Sequence, residues 1–171
     1  MLQRLKQRIA DMRTIKTLSE GAERHANAMG EREPGPEHFL LAALDLPDGL
    51  AQRAFVRAGA DPARLRAGIA AAHGAALAAA GADPALLAGE APVPPGTGAY
   101  RAKGSMETVM RSLADWPRAA GEPLTGAHVA AVVASSTQGT AARALKAIGI
   151  DAAMLAAAAR AELDEAARRV A

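Results

Sequence analysis

Cysteine is absent from the 171 residues of this chain, which excludes disulfides, thiolate metal ligands and a thiol nucleophile. Aromatic residues are scarce as well: one Trp, one Tyr and two Phe. With half of the residues hydrophobic, the core has to be assembled from Ala, Leu, Val, Ile and Met. Small side chains let helices approach closely, and Ala has the best helix propensity of all residues, so an all-α fold is expected. There is no apolar run near the ~20 residues that cross a bilayer. The start, Met1 to Arg13, is basic and amphipathic and lacks the apolar stretch of a secretion signal. A soluble, cytoplasmic chain without membrane association is expected. Neither sign of charge dominates: 20 basic residues stand against 18 acidic ones, a net charge of only +2. The pI near 9.4 reflects that slight excess and gives nucleic-acid binding little support. A phosphate-binding GxxxxGK[ST] loop is also lacking, since Gly98 to Lys103 holds Gly and Lys in the wrong order. ATP hydrolysis by that chemistry is excluded.

What is present is a long-range self-similarity. His38 and His128 are 90 residues apart, and the same spacing joins Gly49 to Gly139, Ala51 to Ala141, Arg53 to Arg143, Gly59 to Gly149, Asp61 to Asp151 and Leu65 to Leu155. A period that long does not suit a solenoid, so it predicts one small module present twice.

Apolar residues at Leu2, Leu5, Ile9, Met12, Ile15, Leu18, Ala22 and Ala26 have helical spacing and predict a long first helix stopped at Gly30. Pro34-Gly35-Pro36 breaks the chain before a second helix that starts near Glu37. Its run from Phe39 to Leu44 is too dense in apolar residues for a surface helix. A third helix is expected from Leu50 to Ala58, ended by Gly59, and a fourth opens at Asp61-Pro62, where Asp caps the free amides. From Ala70 to Ala99 the chain is rich in Ala, Gly and Pro and reads as linker, with a small extra helix suggested over residues 81–87. Four further helices are expected: 102–116, 126–135, 139–147, and a last one from Asp151 towards Arg169. The expected organisation is an N-terminal helical extension (1–13), a first repeat (14–77), a linker (78–100) and a second repeat (101–171).

Met29-Gly30 followed by Pro34-Gly35-Pro36-Glu37-His38-Phe39-Leu40-Leu41-Ala42-Ala43-Leu44 resembles a signature of the Clp N-terminal (repeat) domain, found at the front of Clp-family unfoldase ATPases. Gly49-Leu50-Ala51 and the stretch from Phe55 to Asp61 continue the likeness. The second half agrees at His128, Gly139, Ala141, Leu145, Gly149, Ile150 and Asp151. The resemblance implies two four-helix repeats about a pseudo-twofold axis and a non-catalytic module, here free of the ATPase, that recruits substrates and adaptor proteins. The implied partners are Clp adaptors, clients or a Clp ATPase, and in some relatives phosphoarginine or a cyclic peptide. Adaptor, decoy and regulator roles all fit. A ligand sensor and a DNA-binding regulator are the alternatives.

Glu37 aligns with the family glutamate that contacts the guanidinium in phosphoarginine-binding members; a carboxylate can accept two parallel N–H bonds from that planar fork. It equally suits the first turn of a helix, where the dipole favours an anion. The second half has Ala127 at that place, so one site rather than two is expected. His38 and His128 read as buried rings bonded to a backbone carbonyl. With neither Cys nor neighbouring His to join them, no metal is expected. Gly59, Gly149, Asp61 and Asp151 read as structural positions of the repeat. His25 and His73 lack repeat partners, and the hydroxyls of Ser135, Ser136 and Thr137 read as helix-end caps. Neither set makes a catalytic constellation, so no enzyme activity and no cofactor are expected. Arg4, Lys6, Arg8 and Arg13 suit an acidic surface, or more simply a solvated face of the first helix.

Overall fold

The computed structural model describes residues 2–81 and 104–170, Val170 by its backbone alone. These residues form eight α-helices and no strand: α1 (Leu2–Ala28), α2 (Pro36–Leu44), α3 (Leu50–Arg57), α4 (Leu65–Ala79), α5 (Gly104–Ala114), α6 (Gly126–Ala134), α7 (Thr140–Ala147) and α8 (Ala152–Val170). A 3-10 turn over Pro62–Arg64 leads into α4. The all-α expectation holds. The Ala-rich stretch from Ala70 stays helical as far as Ala79, as its propensity dictates. From residue 82, the linker expected over 78–100 lies outside the described residues, as does the extra helix expected over 81–87 beyond Gly81.

The helix ends follow from the residues that mark them. Gly30, Gly59 and Gly149 have φ of 79°, 77° and 77°. Behind each, a 6→1 bond closes the helix: Glu31 N–H donates to Ala26 O, Ala60 to Phe55 O and Ile150 to Leu145 O, all at 2.9 Å. A residue with a Cβ enters that left-handed conformation at a cost, and glycine does not. Asp61 Oδ1 accepts from Ala63 N–H at 2.9 Å, and Asp151 Oδ1 accepts from Ala153 N–H at 2.8 Å, so both aspartates cap as their spacing implies.

The bounds of α2 and α6 differ by 90 residues, as do those of α3 and α7. α2 and α6 are buried almost from end to end and pack on each other at the centre. α1 lies on α2, and α5 on α6. The third and fourth helices pack reciprocally between halves, α3 against α8 and α4 against α7. Arg53 and Arg57 of α3 donate to Glu162 of α8 at 2.8 and 2.7 Å, and Arg57 also reaches Glu165 at 2.6 Å. Burial acts to raise the Glu162 carboxyl, but the two guanidinium groups outweigh it and hold the carboxyl below its ordinary value.

Close helix approach depends on glycine at α4. A Cβ on Gly68 would lie 2.6 Å from Ala144 O and 2.8 Å from Ile148 Cγ2, whereas one on Gly74 of the same helix meets nothing within 4 Å. The two substitutions should therefore have opposite signs. Gly74→Ala is expected to stabilise by roughly 0.5–1 kcal/mol through helix propensity. Gly68→Ala should destabilise by about 1–3 kcal/mol, because a backbone oxygen cannot step aside. Urea titration of both variants checks this, and equal effects would refute the close packing of α4 on α7.

Candidate functional site

At the start of α2, Gly35 is extended (φ −115°, ψ −179°) and precedes Pro36 at the first helical position. Glu37 is only 1% exposed. Its carboxylate folds back over Gly35, where a Cβ would come within 2.5 Å of Oε1 and 2.8 Å of Oε2. The missing side chain of Gly35 leaves the space that the carboxylate fills, and its backbone conformation is open to any residue. The carboxylate thus lies at the positive end of α2, with Oε1 3.6 Å from His38 Nδ1.

His38 and His128 are both fully buried, but their partners are not backbone carbonyls. His38 Nδ1 accepts from Gly35 N–H at 3.1 Å, and His128 Nδ1 accepts from Thr125 N–H at 3.1 Å with the Thr125 hydroxyl 2.9 Å away. Each histidine occupies the third helical position and reaches back to the cap, the task usually done by Glu or Gln. The ring proton then sits on Nε2, which faces a carboxylate: Glu31 Oε1 at 3.3 Å in the first half and Glu122 Oε1 at 3.6 Å in the second. Glu31 Oε1 also lies 3.2 Å from His73 Nδ1.

The fold therefore gathers Glu31, Glu37, His38 and His73, a cluster that the sequence spacing did not show. Ligand atoms of Glu31, Glu37 and His38 come within 4.8 Å of one another. A metal on His38 Nε2 would have to displace its proton while Nδ1 still accepts from Gly35, leaving an imidazolate. The geometry suits an electrostatic contact of the histidine rings with Glu31 better than a cation.

Glu37 also reaches the wall of a cleft of about 530 Å³ between the halves, formed with α5 and the α6–α7 connection; Thr108, Ser112, Ser135, Ser136 and Arg143 line it. Two substitutions make this side differ from its counterpart. Asp48 Oδ2 accepts from Gly126 N–H at 3.0 Å and so closes the start of α6. At the corresponding places stand Gln138, which lines the cleft, and Pro36, which has no N–H to give. Arg53 is held by Glu162, whereas its counterpart Arg143 contacts only the Thr140 hydroxyl, at 3.4 Å, and has no ion pair among the described residues. Ala127, opposite Glu37 in the repeat frame, is fully buried. The cleft wall therefore brings together a buried carboxylate, several hydroxyls and the Arg143 guanidinium.

The other candidates take structural places. His25 Nε2 lies 2.7 Å from Asp45 Oδ2 and its Nδ1 accepts from Arg66 at 2.7 Å, joining α1 to the end of α2 and to α4. The Ser135 hydroxyl donates to Ala131 O at 2.7 Å and that of Ser136 to Gln138 O at 3.0 Å. The first turns of α1 are tied to the second half. Asp11 takes a bidentate bond from Arg118 at 2.9 and 2.8 Å and accepts from Leu124 N–H at 3.0 Å, while Gln7 bonds Glu122 O and Gly121 N–H. Among the described residues no helix is long and apolar enough to cross a membrane.

No curated protein matches the chain. The sequence model of the family described as the Clp repeat (R) N-terminal domain matches residues 13–86, which include most of α1 and all of α2 to α4 and stop short of the second half. Residues 13–86 are thus similar to the Clp repeat (R) N-terminal domain.

Proposed function

We propose that the chain is a non-catalytic protein-binding module of Clp-type proteolysis, acting in the cytoplasm as adaptor, decoy or regulator. In this reading residues 14–77 and 101–171 are two copies of one module, and the cleft between them receives a cationic side chain of a client or adaptor peptide. The observation that carries it is the buried Glu37 carboxylate on the cleft wall. A desolvated carboxylate binds a guanidinium more strongly than one in water. Glu37→Gln keeps the shape and removes the charge. It should weaken binding of an arginine-containing peptide about 10- to 100-fold, the equivalent of roughly 1.5–3 kcal/mol for hydrogen bonds to a charged group. Isothermal titration is the measurement, and equal affinity for both proteins would end the cleft reading.

Arg143 and the hydroxyls beside it favour a second reading, in which the same cleft takes phosphoarginine. Glu37 would then hold the guanidinium, and Arg143 with Ser and Thr hydroxyls the phosphoryl oxygens. A phosphoarginine peptide should bind more tightly than its unmodified form, and Arg143→Ala should erase the difference.

A further inference from the structure

The first three turns of α1 carry an apolar stripe that points away from the domain. Leu2, Leu5, Ile9 and Met12 are 73%, 59%, 45% and 71% exposed. Their spacing of three, four and three residues is that of a coiled-coil seam. The opposite face of the same turns is the one fixed to the second half, through Gln7 and through Asp11 with Arg118. This segment of α1 is therefore held as a helix with its stripe presented outwards.

The borders of the stripe select the occupant. Arg4 and Arg8 lie along one side and Lys6 and Arg13 along the other; all four are exposed, and none makes an ion pair among the described residues. Asp11, the one acid of these turns, is engaged by Arg118. In a coiled coil the residues beside the seam face those of the partner helix. A second copy would set Lys6, Arg8 and Arg13 against the same basic groups, in either orientation, and be repelled. A membrane surface calls for a broad apolar face with aromatic anchors, while this seam is narrow and has no aromatic residue. We infer that the stripe of Leu2, Leu5, Ile9 and Met12 docks an amphipathic helix of another protein, with apolar residues along its seam and acidic residues on both borders.

This surface is separate from the Glu37 cleft. The test uses a fluorescent heptad peptide with Leu at its seam positions and Glu at both flanks, kept unpaired by its own charge. The whole chain should bind it saturably and more weakly as salt rises. The double variant Leu5→Ser, Ile9→Ser should bind about tenfold or more weakly, as should the triple variant Lys6→Glu, Arg8→Glu, Arg13→Glu. All five positions are exposed, so the fold is retained. The triple variant should instead bind a peptide with Lys at the flanks, a swap that misfolding cannot mimic. Glu37→Gln should leave peptide binding unchanged, which separates this surface from the cleft. The inference is overturned if the Glu-flanked peptide does not bind, or if the Leu5 and Ile9 substitutions leave its binding intact. A dimer in light scattering that the same double variant abolishes would also overturn it, and so would uptake by phosphatidylserine vesicles in place of the peptide.

Discussion

Truncating Leu40 to alanine is expected to remove about 2–5 kcal/mol of unfolding free energy, the usual range for a large core side chain cut to a methyl group. Leu40 is completely buried on α2, the helix that packs on both α1 and α6. Collapse cannot fill the space, because α2 is covered on every side and its neighbours are already in contact through small residues: a Cβ on Gly21 would lie 2.9 Å from Ala42 Cβ, and one on Gly126 2.7 Å from Ala43 O. Leu41, 6% exposed, should cost slightly less. Since a domain is held by only about 5–15 kcal/mol, Leu40→Ala should lower the melting temperature by roughly 5–15 °C at a few degrees per kcal/mol. A melting temperature within a degree or so of the wild type would show that α2 is not the keystone between the halves.

The helices were legible because their ends are written locally. Gly30, Gly59 and Gly149 stop them, Asp61 and Asp151 start them, and the 90-residue offset gives the bounds of α2 and α3 a second time at α6 and α7. The pairing of the helices was not legible. Periodicity states which face of α3 or α4 is apolar, yet nothing in it says that α3 meets α8 and α4 meets α7. The site was half legible. The resemblance pointed to Glu37, but its near-complete burial was not foreseen, since isolated glutamates sit mostly at the surface. The usable signal was Gly35, whose missing side chain leaves the room that the carboxylate occupies. The recurrence of His38 and His128 marked them as structural, while their partner was misjudged: each serves as an acceptor at the helix cap, a place where sequence rules look for Glu or Gln. Glu31 and His73 are 42 residues apart in the chain, and only the fold brings them to one point.

Acidification should weaken the fold before its carboxylates titrate, and His128 is the cause. Its ring is buried against Trp116, edge to face with centroids 5.7 Å apart. Burial pushes its pKa down from 6.5 to about 4; Glu122, Asp11 and Asp48 oppose the shift, and Arg118 adds to it. Below pH 6.5 the unfolded chain takes up a proton on this histidine and the folded chain does not, so stability falls with falling pH. The contribution is complete above 6.5 and is lost progressively down to about 4. In full it amounts to about 3 kcal/mol, of which about 2 kcal/mol is gone at about pH 5, at 1.36 kcal/mol per unit. Asp11 and Glu162 do not blur the comparison at about pH 5. Burial works against their charge, but Arg118 with the Leu124 amide, and Arg53 with Arg57, hold their carboxyls below the ordinary 3.8 and 4.5. Their stabilising contributions are therefore present above those values and fail only at lower pH. His128→Gln keeps an acceptor for Thr125 N–H and has no proton to gain. Urea titrations at about pH 7 and about pH 5 should show the wild type losing roughly 2 kcal/mol more than this variant. If the two proteins weaken equally, the buried neutral ring is not what makes the fold sensitive to acid.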